Sequence, residues 1–451
     1  MKFTPFSLAA TAVIVGISLC SPAQAKLTAA ELARLGADLT PVGAEKAANK
    51  DGTIPAWDGG LTKPPAGWSA GLPLVDPFAG EKPLFTITAA NADQYKDKLT
   101  PGAYALLKRY ANFAMPVYPT HRTAAVPSDI LEKVKAQAAN TELDGAGIKG
   151  FSPGPYMPFP IPKNGLEVVW NHLLRYTGGS VEDRIDTFVV RPNGDFSSFG
   201  ARVRRYNASH LDKPKPTENL RNLVFYTHPA SLEGTIYLFQ DPVDQVNDSR
   251  AAWIYNSGQR RVRRAPDLNY DMITDGSEGI YFVDQVDAFN GPPDAFDWKL
   301  VGKKEIFVPY NTYKMGDKSL KYSDIIRQNT VNPDNMRYEL HRVWVVEGTL
   351  KPDAKHQFAK RVFYIDEDSW HILAEDGYDS RGGIWRVALH GLEQVYGDNT
   401  PYYTFDLYHD LNSGAYAIWG LSNEISSPRV FGQKGKTIDF EPDALRRQGL
   451  K

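Results

Sequence analysis

Nine histidines, a run of three acids, two arginine clusters and a glycine-rich string are the parts of this sequence that suggest chemistry. Gly145-Ala-Gly147-Ile-Lys-Gly150 is a literal G-x-G-x-x-G. A dinucleotide site needs that string between a strand and a helix, so that the helix N-terminus meets the pyrophosphate. Here it follows Thr141-Glu-Leu-Asp144 and runs into proline-rich chain, which reads as a flexible loop. The histidines are scattered, with neither H-E-x-x-H nor a close pair, so no metal site is expected. Asp366-Glu367-Asp368 lacks the glycine and distal glutamate of a calcium loop and reads as an exposed hairpin tip. Asp241, Asp244, Asn247 and Asp248 offer oxygen ligands for calcium at a spacing that matches no standard loop. The G-x-S-x-G elbow of a hydrolase is absent, and Ser180, Ser257 and Ser413 fall in predicted turns. A triad or a carboxylate pair assembled only by folding stays open at this stage. No catalytic residue is singled out, and no cofactor is expected.

Two binding surfaces are suggested instead. Arg202-Val-Arg-Arg205 and Arg260-Arg-Val-Arg-Arg264 are basic clusters in strand-like sequence. Alternation puts Arg261 and Arg263 on one face, with Val262 and Arg264 on the other. Such a cluster is either a solvated face and charged sheet edge, or a patch for an anionic head group or an acidic partner, with Arg261 and Arg263 as its candidates. The second surface is aromatic. Trp253, Tyr255, Trp344, Tyr364, Trp385, Tyr403 and Phe405 are candidates to line one apolar cavity, or they form an ordinary covered core. Burying a dozen methylenes of a guest in such a cavity would yield roughly 10 kcal/mol before the costs of association.

The elements that must hold these residues fall into two regions. From Lys26 to Asn164 the chain is rich in Pro, Gly and Ala, with short helices predicted over 29–35, 89–99, 102–110 and 129–139. Extended proline-rich runs lie between them, and Trp57, Trp68, Phe78, Tyr118, Tyr156 and Phe159 call for burial. This region (26–164) reads as an arm that wraps a larger body (165–451). From Leu166 onward the period becomes two, as in Ile185, Thr187 and Val189 or Tyr403, Phe405 and Leu407. Further strands are predicted at 223–227, 235–240, 251–255, 260–264, 298–308, 342–350 and 361–365, with Gly258 and Gly414 supplying turns. The expected fold is mainly β (α+β): a large antiparallel meander, curled into an incomplete barrel under lid helices.

Charge and length set the outer bounds. The 451 residues carry 51 Lys and Arg against 53 Asp and Glu, a net charge of −2, so no global field favours nucleic acid. Lys2, the apolar run Phe6 to Leu19 and Ala23-Gln-Ala25 predict a secretory leader (1–25) cleaved after Ala25. Leu19 before Cys20 does not suit a lipoprotein signal. Cys20 is the sole cysteine, so the mature chain enters an oxidising compartment with no thiol.

Three long runs carry a family resemblance: Leu39-Thr-Pro-Val-Gly-Ala-Glu-Lys-Ala-Ala-Asn-Lys-Asp-Gly-Thr-Ile-Pro-Ala-Trp-Asp-Gly-Gly60, Trp253-Ile-Tyr-Asn-Ser-Gly-Gln-Arg-Arg-Val-Arg-Arg-Ala-Pro266, and Arg361-Val-Phe-Tyr-Ile-Asp-Glu-Asp-Ser-Trp370. They resemble the proteobacterial family called domain of unknown function 1329. That resemblance implies a fold like the lipoprotein carriers LolA and LolB, and a partner such as a resistance-nodulation-division-type transporter or an outer-membrane protein. It brings no catalytic residues, and the arm has no counterpart in those small carriers. The expected function is a periplasmic, non-enzymatic carrier or chaperone for a hydrophobic ligand: a lipid, a lipidated protein or a sterol-like molecule. Peripheral contact with the outer membrane is part of that expectation. The alternatives are an adaptor of an envelope complex whose cavity is filled by its own Trp57 or Trp68, and a secreted hydrolase.

Overall fold

The structure, a computed structural model, describes residues 26–152, 154–265 and 270–449. The leader and its cleavage site lie outside the described residues. Thr28 caps α1 (Ala29–Arg34) through a capping box with Glu31. Strand β1 (Phe85–Ile87) precedes a 3-10 turn at Ala92–Lys98, where an α-helix is expected from the sequence. Thr100 caps α2 (Pro101–Arg109), whose proline sits in the first turn, where its missing N–H costs nothing. Next come β2 (Met115–Val117), α3 (Ser128–Ala138), β3 (Glu142–Asp144) and β4 (Gly147–Lys149). The G-x-G-x-x-G string is thus the turn and second strand of a small hairpin. Asn164 then caps α4 (Gly165–Leu173), a helix the period-two reading does not predict. Its residues from Val168 to His172 are all buried, so it shows no polar stripe to announce a helix.

The remaining strands are β5 (Ser180–Val190), β6 (Phe196–Asn207), β7 (Glu218–His228), β8 (Ile236–Pro242), β9 (Ala251–Asn256) and β10 (Arg261–Arg264). They continue as β11 (Phe296–Pro309), α5 (Tyr322–Ile325), β12 (Tyr338–Leu350), β13 (Lys360–Asp366), β14 (Ile372–Tyr378), β15 (Ile384–Val395), β16 (Thr400–Asp410) and β17 (Tyr416–Leu421). The chain ends in β18 (Val430–Phe431) and α6 (Pro442–Gln448). All strands but β3 and β4 join one sheet of order β1-β2-β12-β13-β14-β15-β16-β17-β5-β6-β7-β8-β9-β10, with β11 beside β12 and β18 beside β5. Two antiparallel meanders, β5–β10 and β11–β17, meet where β17 pairs with β5. The ends β1 and β10 do not pair, so the sheet stays open rather than closing into a barrel.

Residues 26–164 add β1 and β2 to one end of this sheet and pack helices against it. Leu106 and Leu107 of α2, Met115 of β2 and Val134 of α3 share one buried cluster with Val343, Val387, Leu389, Phe405 and Ile418. Gly102 approaches β14 and β15 so closely that a Cβ there would lie 2.1 Å from Asp376 Oδ1 and 2.8 Å from the Val387 methyls. Trp57 and Trp68 do not plug the sheet. Both are only half-buried, and Trp68 stands edge-on to Tyr396 at 4.9 Å. Tyr156 and Phe159 are buried, whereas Phe78 and Tyr118 are half-buried. Gly414 turns with a positive φ as expected, but in the β9–β10 turn the left-handed residue is Arg260 (φ 51°), not Gly258.

Candidate functional site

Four of the seven aromatic residues, Trp344, Tyr364, Tyr403 and Phe405, pack in one core cluster, while Trp253 and Tyr255 belong to another. Trp253 and Tyr255 point from β9 toward α6, where Tyr255 is buried with Phe440 and Leu445. Trp344 of β12 is stacked on Trp370 at 6.1 Å, with the Lys303 ammonium 4.6 Å over its ring. Tyr364 of β13 is buried and donates to Asp376 Oδ2 at 3.2 Å. Trp385 occupies the extra position of a β14–β15 register shift, donates to Asp410 at 3.1 Å and packs edge-on to Phe282 and Phe358. Tyr403 and Phe405 straddle another shift, between Gly391 and Leu392. Tyr403 lies against His371 and His390, while Phe405 lies against Gly391.

The arginine clusters separate in the same way. Arg205 pairs with Asp287 at 2.8 Å and Arg204 with Glu182 at 2.8 Å, while Arg202 covers the Phe225 ring. That cluster is held by internal partners. The second is open to solvent. Arg260, Arg261 and Arg264 of the β9–β10 hairpin, with Arg446 of α6, line a groove of about 520 Å³ together with Trp253, Val262, Pro442 and Asp443. All four arginines are exposed, and none has an ion-pair partner among the described residues. Among the described lining residues one carboxylate, Asp443, faces four guanidiniums, so the groove is a cationic slot with an indole in its wall. Arg263 pairs across to Ile254 and is not part of the groove. Sequence alternation misses Arg264 as a groove residue because it counts only strand faces, and it misses Arg446 because α6 reaches β10 through the fold. Arg260 lines the groove with a left-handed backbone, uncommon in a residue with a Cβ.

Two buried polar groups lie elsewhere on the sheet. His390 Nδ1 is 2.6 Å from Asp406 Oδ1, the geometry of a base and its orienting acid. His390 Nε2 has no hydrogen-bond partner, and no serine or threonine hydroxyl reaches it among the described residues. His172 and His371, which pack near this pair, are both held well below the ordinary histidine range by burial and by the Arg175 charge. The second group overturns the reading of Asp366-Glu367-Asp368 as an exposed tip: all three are buried under the arm. Arg122 grips both oxygens of Asp368 at 2.7 and 2.8 Å, and Arg342 holds Glu367 at 2.6 Å. Strand pairing of β12 with β13 brings His341 beside Asp366 and Asp368, a meeting of residues 25 and 27 apart in sequence that no local motif announces. The loop acids behave otherwise. Asp241 is paired with Arg250 at 2.5 Å, and Asp244 accepts from Val246 and Asn247, so they do not converge on one point.

The chain matches the family model described as "Protein of unknown function (DUF1329)" over residues 86–446. It is 45% identical over 452 residues to the uncharacterized protein PA3922 of Pseudomonas aeruginosa, covering 98% of each chain. Among solved structures, a domain assigned to outer membrane lipoprotein sorting from Vibrio parahaemolyticus aligns with 63% of this chain and 98% of its own, at 15% identity and a TM-score of 0.45. The LolA superfamily protein NE2245 of Nitrosomonas europaea aligns with 62% of this chain and 99% of its own, at 12% identity and a TM-score of 0.38. The extent of the family match and the full-length identity to the Pseudomonas protein place this chain in the DUF1329 family.

Proposed function

We propose that this protein is a periplasmic, non-enzymatic carrier that takes an amphiphile by its anionic head group in the groove between the β9–β10 hairpin and α6. The observation that carries this reading is the groove itself, in which four arginines without an ion-pair partner among the described residues line the same wall as Trp253. Guanidiniums match phosphate and carboxylate oxygens in fork geometry, and the indole with Val262 and Pro442 gives the first methylenes an apolar wall. The N-terminal leader motif supports export, and no helix among the described residues is long and apolar enough to cross a membrane.

Cosedimentation with phosphatidylglycerol vesicles, against phosphatidylcholine vesicles, tests the reading. Each basic residue near an anionic surface contributes about 1 kcal/mol, so Arg261→Glu with Arg264→Glu is expected to weaken binding roughly 30-fold or more. Arg263→Glu, which does not line the groove, is the control. Protein purified from its own host is expected to bring out an anionic lipid by mass spectrometry. Equal binding to both vesicle types, or a double variant that binds like wild type, would refute the proposal.

One observation favours a second reading, an adaptor for a resistance-nodulation-division-type transporter or an outer-membrane partner. The arm's own leucines and Met115 fill the apolar face of the sheet that a buried lipid tail would need. A lipid-free preparation that co-purifies with such a protein would favour it.

A further inference from the structure

Asp366 is held in a way its neighbours are not. Its Oδ2 accepts from the Ser369 hydroxyl at 2.6 Å, the Ser369 amide at 3.0 Å and the Tyr310 hydroxyl at 3.2 Å. Among the described residues its Oδ1 has no partner, and no cation is bonded to either oxygen. The other buried acids around it are each bonded to a cation: Asp368 to Arg122, Glu367 to Arg342 and Lys303, and Glu339 to Arg337 at 2.6 Å. A buried carboxylate with a bare oxygen and no counter-charge is costly. Among these neighbouring acids, Asp366 is the one that no cation meets among the described residues.

The side chains next to Asp366 are metal ligands in type and spacing. His341, Asp366 and Asp368 are all buried, and each offers a ligand atom within 4.8 Å of the others. His341 Nε2 lies 3.1 Å from Glu339 Oε2, and its ring is stacked on Tyr310 at 3.7 Å. A histidine whose one nitrogen donates to a carboxylate is fixed in the tautomer that leaves the other nitrogen's lone pair for a metal. Here that nitrogen is Nδ1.

We propose that His341, Asp366 and Asp368 bind a divalent transition-metal ion, with zinc favoured by one imidazole and two carboxylates. Zinc takes N and O donors at about 2.0–2.2 Å and accepts a fourth ligand from solvent or protein. The site would couple the arm to the sheet. Arg122 of the arm holds Asp368 and the Glu45 carbonyl together, and Trp370, two residues beyond Asp368, donates to the Val42 carbonyl at 3.1 Å.

The test uses the full mature chain, stripped with a chelator, dialysed and titrated with zinc chloride by calorimetry and native mass spectrometry. Calcium and manganese chlorides serve as comparisons. One zinc per chain is expected, with a rise in melting temperature on binding. Asp366→Asn keeps an acceptor for Ser369 and Tyr310, and it is expected to weaken zinc binding by roughly 100-fold or more, as is His341→Gln. Glu339→Gln, which loosens the histidine's support along with the Arg337 ion pair, is expected to cost roughly 10–100-fold. Circular dichroism checks that each variant is folded; if His341→Gln is not, Asp366→Asn decides. Zinc bound below one per chain, or bound equally by wild type and Asp366→Asn, overturns the proposal.

Discussion

Replacing Asp376 by Asn is expected to stabilise this protein at neutral and alkaline pH and to do nothing at pH 4. Asp376 lies in β14 with no solvent exposure, and burial pushes its carboxyl up to about 7 from an ordinary 3.8. The Gly102 amide, at the start of α2, donates to Oδ1 at 3.1 Å, and the Tyr364 hydroxyl lies 3.2 Å from Oδ2. These bonds favour the anion but do not offset its desolvation. Between the two values the folded chain keeps a proton that the unfolded chain releases. Stability therefore falls as pH rises through that window, by about 1.4 kcal/mol per pH unit, and levels off above the folded value. Over the three units involved the loss is on the order of 4 kcal/mol. Asparagine is neutral throughout, its oxygen can still accept from Gly102, and its amide can donate to the Tyr364 oxygen. Urea unfolding followed by tryptophan fluorescence at pH 4, 6 and 8 measures the difference between variant and wild type, in which all other titrations cancel. The variant is expected to match wild type at pH 4 and to exceed it by up to about 4 kcal/mol at pH 8. A difference that does not change with pH, or an Asn variant less stable at pH 8, would refute the assignment of a buried, protonated Asp376.

His409 supplies the opposite slope. Burial lowers its pKa to about 3, so the unfolded chain takes up a proton below 6.5 that the folded chain refuses, and stability falls as pH drops through that window. His409→Gln, which can keep a bond to Thr330, is expected to flatten the acid limb of urea midpoints between pH 6.5 and 4. Leu106 is fully buried where α2 meets the sheet, and Leu106→Ala is expected to cost about 2–5 kcal/mol in the same urea assay. In the vesicle assay, the weakened binding of Arg261→Glu with Arg264→Glu is expected to be mimicked in wild type by raising salt, since exposed charges are screened.

The β architecture is legible because alternation is a local property. Each strand must put one set of side chains toward a core, and period two in residues 185–189 or 403–407 records that directly. β14 escapes this reading because most of its residues are buried, charged Glu375 and Asp376 among them, so neither face is marked as wet. α4 escapes for the same reason. Register shifts at Gly377/Tyr378 and Gly391/Leu392 then break the extrapolation of strand faces, and Trp385 ends against Phe282 and Phe358 while Tyr403 and Phe405 share one buried cluster.

By itself, the sequence determines most of the strand pattern, the family signature and the basic run of the β9–β10 hairpin. Those features reside in neighbouring residues and need no knowledge of what packs on them. Only the tertiary structure decides which charges are buried. The arm covers Asp366-Glu367-Asp368, α6 completes the arginine groove, and strand pairing sets His341 beside two acids. Burial and convergence depend on chain segments tens to hundreds of residues away, and the strength of an electrostatic contact depends on the dielectric those segments create.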